Sequence, residues 1–122
     1  MMPGIMLPVL AGCGKYVSGY KAVGFVHSSS RTSAWMDFYS FDGTMVFRMV
    51  SPGEGDLKYS AMLESGAATV YYDDGGTKSE LFSISSGETL ESSGGYLEKG
   101  TVYVIVQTDG PCMNGEFRFR VE

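Results

Sequence analysis

The sequence is poor in the side chains that most often carry chemistry. Its 122 residues include one histidine (His27), one tryptophan (Trp35), one asparagine (Asn114), one glutamine (Gln107) and two cysteines (Cys13 and Cys112). Cys13, His27 and Cys112 cannot make a four-ligand zinc site without carboxylates, and they lack the close spacings of metal-binding motifs. No metal or other cofactor is therefore expected. Cationic side chains are also scarce, with nine Lys and Arg against fourteen Asp and Glu, a net charge of −5 and a pI near 4.8. Because the nine are scattered, the chain has neither the basic footprint of a nucleic-acid binder nor the charge that draws a protein to anionic headgroups. Apolar runs such as Val102 to Val106 fall far short of the roughly 20 residues of a spanning helix.

Catalytic constellations are missing as well. His27 precedes Ser28, Ser29 and Ser30, but no nucleophile-elbow pattern accompanies it, and it reads as an exposed histidine after a strand. Asp73 and Asp74, with Asp42 or Asp109, have the chemistry for calcium, yet each stands where a tight turn selects Asp. No Asp or Glu stands alone in an apolar context that would raise its pKa for glycoside hydrolysis. Gly12, Cys13, Gly14 and Lys15 lack the upstream Gly and the following Ser or Thr of a phosphate-binding loop. No catalytic residue is assigned, and a non-enzymatic protein is expected. An exported enzyme of unknown class is the alternative, with His27, Asp37 and Arg48 as its polar cluster.

What is abundant is Gly, Ser, Tyr, Phe and β-branched residues, the composition of an all-β domain. The strongest local signal is Ala34 to Phe41, Asp42-Gly43, Thr44 to Val50, two alternating runs around the dipeptide that favours a type I′ hairpin. That register sets Asp37 against Arg48 and Phe38 against Phe47. It turns the Met and Phe face to the core and leaves Trp35, Tyr39 and Val46 outside around an ion pair. Flat aromatics beside fixed polar groups suit a sugar or a protein surface, so Trp35, Asp37, Tyr39 and Arg48 form the candidate ligand site.

Further strands are expected over Asp56 to Glu64, Ala68 to Tyr72, Ser79 to Ile84, Thr101 to Thr108 (central) and Phe117 to Val121. Ser85 to Gly95 reads as a polar loop holding at most a short strand near Thr89 to Glu91. About eight short antiparallel strands fit a two-sheet β-sandwich, jelly-roll-like or Ig-like. The stretch Asp56 to Glu122 also resembles, in style only, the small secreted β-sandwich modules of bacterial envelope lipoproteins.

At the N-terminus, an apolar run ends in Leu10, Ala11, Gly12 and Cys13. This tetrapeptide resembles the bacterial lipobox, which implies a thioether-linked diacylglyceryl group on Cys13 and cleavage before it. Two acyl chains on one glyceryl group anchor a protein stably. No Lys or Arg precedes Lys15, so residues 1–12 read as a truncated signal peptide. Residues 13–33 then hold the lipid-attachment Cys, a Gly/Ser-rich tether and a first weak strand, and 34–122 the sandwich domain. The expected function is a binding or structural accessory module, exported to the outer face of the cytoplasmic membrane or the cell envelope. Its partners would be the membrane, through lipid on Cys13, and a glycan or protein ligand, with no nucleic acid; a carbohydrate-binding module using Trp35 and Tyr39 is a further alternative. Intact mass of the protein expressed in a bacterium from its full upstream reading frame is expected to show a chain starting at Cys13 with added diacylglycerol. An unprocessed N-terminus lacking two hydrogens would instead indicate a Cys13–Cys112 disulfide.

Overall fold

A computed structural model describes residues 16–53 and 55–122. Its strands are β1 (Gly19–Val23), β2 (Val26–Ser29), β3 (Ser33–Ser51), β4 (Gly55–Ser65), β5 (Ala67–Asp73), β6 (Ser79–Ser85), β7 (Glu88–Leu97), β8 (Gly100–Thr108) and β9 (Cys112–Val121). They make one antiparallel sheet in the order β6-β5-β8-β3-β9-β4-β7, with β1 and β2 also paired to β3.

The registers reduce these nine pieces to five long ribbons. The first half of β3 pairs with β9, from Ser33 opposite Arg120 to Phe41 opposite Cys112. Its second half pairs with β8, from Thr44 opposite Gln107 to Ser51 opposite Gly100. Strands β8 and β9 therefore follow one another along one side of β3, while β1 and β2 follow one another along the other. In the same way β4 and β5 run along β9 and β8, and β7 and β6 run along β4 and β5.

The interruptions fall at one level across the ribbons and carry the positive-φ glycines Gly24, Gly66, Gly87 and Gly110, and within β9 the positive-φ Asn114 drops out of the register with β3 at that level. At Gly66 (φ 107°) a Cβ would stand 2.6 Å from the Cys112 Sγ and 2.8 Å from the Pro111 carbonyl oxygen, so both the dihedral and the space select glycine. The sheet creases along this line and folds over on itself. One half holds β2, the start of β3, β9, β4 and β7; the other holds the end of β3, β8, β5 and β6. We call them the β9 half and the β8 half.

Between them lies the core. Phe47 meets Phe119 at 6.2 Å, and Phe82 of β6 stacks on Tyr59 of β4 at 4.3 Å and lies 6.4 Å from both Phe117 and Phe119. Met36, Met49, Leu57, Leu63, Val70, Val102, Val104 and Val106 are fully buried beside them. Each such large side chain contributes about 1.5–3 kcal/mol relative to leaving it in water. The two parts of the outer ribbon also approach one another across the fold, since a Cβ on Gly94 of β7 would lie 3.1 Å from a Leu81 methyl of β6. The sheet is thus nearly closed, between a sandwich and a barrel.

Several sequence-based expectations are corrected. The all-β antiparallel class holds, but among the described residues one folded sheet of nine strands replaces the two-sheet sandwich of about eight. The hairpin at Asp42-Gly43 does not form, and β3 runs straight through both residues. A type I′ turn needs positive φ at both central positions, and among the described non-glycine residues only Asn114 has it. Gly43 (φ 141°) is required for another reason: a Cβ there would run into the Gly19 oxygen of the crossing β1 and lie 2.6 Å from the Tyr20 Cα. Phe38 accordingly faces Gly115 rather than Phe47, and Asp37 faces Glu116 rather than Arg48. The polar stretch after Ser85 is largely the ten-residue strand β7.

The chain is held to the sheet from Tyr16 onward. The Tyr16 hydroxyl donates to Asp73 Oδ2 at 2.6 Å and its ring meets Tyr103 edge-on at 5.4 Å. The Ser18 Oγ accepts the Val46 N–H at 2.8 Å. Asp73 is buried, and its Oδ1 accepts the Gly75 and Gly76 N–H groups of the β5–β6 turn. Two strands, β1 and β2, follow where one weak strand is expected.

Two of these contacts are open to direct measurement. A Cβ on Gly115 would lie 2.9 Å from the Cε1 of Phe38, whose ring is buried, and closer still to its Cζ. Gly115→Ala should cost about 1–3 kcal/mol through overpacking. Phe38→Leu in that background should return part of the loss, read as a double-mutant cycle in denaturant unfolding. The second contact is that of Tyr16, whose phenol is pushed up from 10.0 to about 12 by burial and by the hydrogen bond to Asp73. A raised folded-state pKa means that this contact stabilises fully below pH 10 and is lost as pH climbs through about 12. In an alkaline absorbance titration, Tyr16→Phe should remove a phenolate step near pH 12 and flatten the stability loss over that window.

Candidate ligand-binding face

Each strand of the β9 half turns alternate side chains outward, and residues paired across antiparallel strands share a face. Phe117, Phe119 and Val121 enter the core, so Arg118 and Arg120 point out. The registers then place Trp35, Arg118, Ser60 and Glu91 in one row across β3, β9, β4 and β7. Toward the strand ends the next row is Ser33, Arg120, Lys58 and Ser93; toward the crease it is Asp37, Glu116, Met62 and Thr89. Four strands by three rows cover about 14 Å by 13 Å.

A depression of about 640 Å³ lies over the first two rows, lined by Trp35, Lys58, Ser60, Glu91, Arg118 and their neighbours. A second, of about 290 Å³, shares Ser60, Glu91 and Arg118 with it and extends over Met62 and Glu116. Together they form a shallow trough along the face.

Arg118 organises its charge. One guanidinium nitrogen donates to Asp37 Oδ1 at 3.0 Å, the other lies 3.3 Å from Glu116 Oε1, and the group sits 5.7 Å from the centre of the Trp35 ring. The hydrogen bond to Asp37 pushes the Arg118 pKa further above its ordinary value. Lys58 and Arg120 both pair with Glu122, which lowers the Glu122 pKa, chiefly through the Lys58 hydrogen bond. These pairs are exposed and add little stability. What they do is fix donors and acceptors in place.

Of the four residues proposed from sequence, three share this side of β3. Trp35 is half-buried beside Arg118, Asp37 follows, and Tyr39, 56% exposed, stands over Gly24 near the crease. Arg48 does not join them. It lies on the β8 half opposite Tyr103, and Val46 and Val50 go with it. The partner assigned to Asp37 is therefore corrected from Arg48 to Arg118.

The sequence does show Arg118 and Arg120 on a wet strand face, but nothing local shows that β9 returns beside β3. Ser60, Lys58 and Glu91 are missed for the same reason, Glu91 falling at the end of the short strand expected within a polar loop.

The other candidates have local roles. His27 stacks on Phe25 at 4.8 Å and lies 6.5 Å from Phe47 at the rim of the core. Asp74 Oδ2 accepts the Glu98 N–H at 3.1 Å, serving a turn as Asp73 does. Among the described residues no group of three or more His, Cys, Asp or Glu side chains is placed to hold a metal. Cys112 is a buried free thiol that donates to the Ala67 carbonyl at 3.3 Å, and burial pushes its pKa up. Cys13 and the leader before it lie outside the described residues.

No family model and no curated protein matches the chain. Among solved structures it is similar to a point mutant of a carbohydrate binding module family 29, with 14% identity over 85% of this chain and 78% of that one and a TM-score of 0.41. It is also similar to a cupin superfamily protein from Desulfitobacterium hafniense DCB-2, with 12% identity over 91% and 83% and a TM-score of 0.36. A third is the CENP-C cupin domain of Drosophila melanogaster, with 12% identity over 86% and 75% and a TM-score of 0.33. What this chain shares with them is a β-rich fold.

Proposed function

We propose that this chain is a non-enzymatic binding module, exported and held at the outer face of the cytoplasmic membrane or envelope by lipid on Cys13, and that its Trp35 face takes a neutral glycan. The observation that carries the reading is Arg118, pinned by Asp37 and Glu116 beside the half-buried Trp35 in an open trough. A pyranose presents an apolar C–H face and hydroxyls that both donate and accept. An indole ring matches the first, and a guanidinium–carboxylate array with Ser60 at its side matches the second.

The charge arrangement supports a neutral ligand. Each cation of the trough has a carboxylate partner, Arg118 with Asp37 and Glu116, and Lys58 and Arg120 with Glu122. An anionic ligand would have to displace one of these carboxylates and pass Glu91 at the rim. Such a ligand is disfavoured, whereas uncharged hydroxyls leave the pairs in place.

Trp35 is the only tryptophan, so its emission reports the site without a label. A panel of soluble neutral oligosaccharides, titrated against the Cys13→Ser protein, should include at least one that shifts this emission. Trp35→Ala should weaken that ligand at least about tenfold by calorimetry, or about 1.4 kcal/mol. Its melting temperature should stay near that of the parent. A large loss of stability would instead make Trp35 a core residue, and a response confined to polyuronates or to proteins would remove the neutral glycan.

A further inference from the structure

Tyr16, the first described residue, lies on the outside of the β8 half, with its hydroxyl on Asp73 and its ring against Tyr103. Cys13 is three residues away, so its Cα lies within about 11 Å of the Tyr16 Cα whatever path the backbone takes. The two halves of the sheet are about 10 Å apart at the backbone, with a further layer of side chains outside each. An anchor on so short a lead reaches one outer face and not the other.

The face it reaches has its own chemistry. Tyr71 and Tyr103 point outward beside the half-buried Val46, with Ile105 covered beneath them, Arg48 lies exposed next to Tyr103, and the Lys78 ammonium sits 4.3 Å from the Tyr71 ring centre. Phenols with apolar bodies, and cations on long stems, are the side chains that settle at the boundary between headgroups and acyl chains. The Trp35 face, by contrast, carries the paired charges of the trough.

We propose that the outer face of the β8 half is a docking surface for a phospholipid membrane, so that the lipid on Cys13 holds the domain in one orientation with the Trp35 trough turned away from the bilayer. This rests on the anchoring through Cys13 proposed above. Covalent attachment supplies the affinity, and the tyrosine face supplies the orientation. The Tyr16–Asp73 contact joins the two, because releasing Tyr16 lengthens the free lead up to Ser18, whose hydroxyl meets Val46.

The test attaches the protein chemically, so it does not depend on processing in cells. Cys13 is coupled to maleimide-headgroup lipid in phosphatidylcholine–phosphatidylglycerol vesicles, the buried Cys112 being sheltered from the reagent. Headgroup-nitroxide lipid is then the quencher. Tyr71→Trp and Lys78→Trp, each in a Trp35→Phe background, should lose most of their emission, while the native Trp35 keeps its own. Lys78 stands exposed in the β5–β6 turn, so its variant reports even where Tyr71→Trp folds poorly. Tyr16→Ala should narrow the contrast between the faces. Equal quenching at positions 35, 71 and 78, or stronger quenching at 35, overturns the orientation. A mature protein without lipid on Cys13 by mass would remove the anchoring instead, whatever the vesicles show.

Discussion

The crease is the constraint on which the rest of this molecule depends. Five ribbons, each about as long as the unbroken β3, are too long to lie in one flat sheet with an apolar side left wet. Folding the sheet across its middle lets one apolar side cover itself. The bend requires residues that accept left-handed backbone at matched positions, and the chain supplies Gly24, Gly66, Gly87, Gly110 and Asn114 there. It also requires close backbone approach, and Gly66 against Cys112 and Gly43 against β1 leave no room for a Cβ. Cys112 shares in this, since its thiol sits in the fold of the crease and hydrogen-bonds the Ala67 carbonyl.

The same crease explains which parts of the fold were legible in the sequence. Inward alternation over β4, β8 and the Phe117 to Val121 end of β9 needs only the period of two, and Leu57, Leu63, Val102, Val104, Phe117 and Val121 are buried as that period dictates. The core face of β3 is also legible, but for a reason the pattern cannot reveal. Ala34, Met36 and Phe38 face in at even positions, then Met45, Phe47 and Met49 at odd ones, while Phe41, which the hairpin register would turn outward with Tyr39, is buried. A hairpin produces that switch of parity by reversing the chain; a crease produces it by bending a strand that continues. Periodicity alone does not separate the two, and Asp42-Gly43 tips the reading toward the wrong one because a glycine demanded by a crossing strand looks like a glycine demanded by a turn.

Pairing across the sheet was not legible. The Asp37 and Arg118 that meet at 3.0 Å are 81 residues apart in sequence, and no local signal links them. Strand β7 was hidden by its polarity. As an outer ribbon it brings Leu90 and Leu97 toward the core while most of its other side chains meet water, so it lacks the alternation of a half-buried strand. The candidate site was therefore half visible: Trp35, Asp37 and Tyr39 belong to one strand and could be grouped, whereas the residues that complete the trough come from strands whose neighbourhood only the fold defines.

That dependence on long-range pairing has a consequence for recognition. Arg118 lies on β9, which is hydrogen-bonded on both sides, to β3 and to β4, and whose alternate side chains Phe117 and Phe119 are locked in the core. Trp35 lies on β3 between β2 and β9. The two side chains that dominate the trough thus stand on interior ribbons whose backbones have little freedom, and Arg118 is further held by two carboxylates. A ligand meeting them has little ordering left to impose, so more of its contact energy appears as affinity. Tyr39, next to the crease and over a glycine, is 56% exposed and the less enclosed member by comparison.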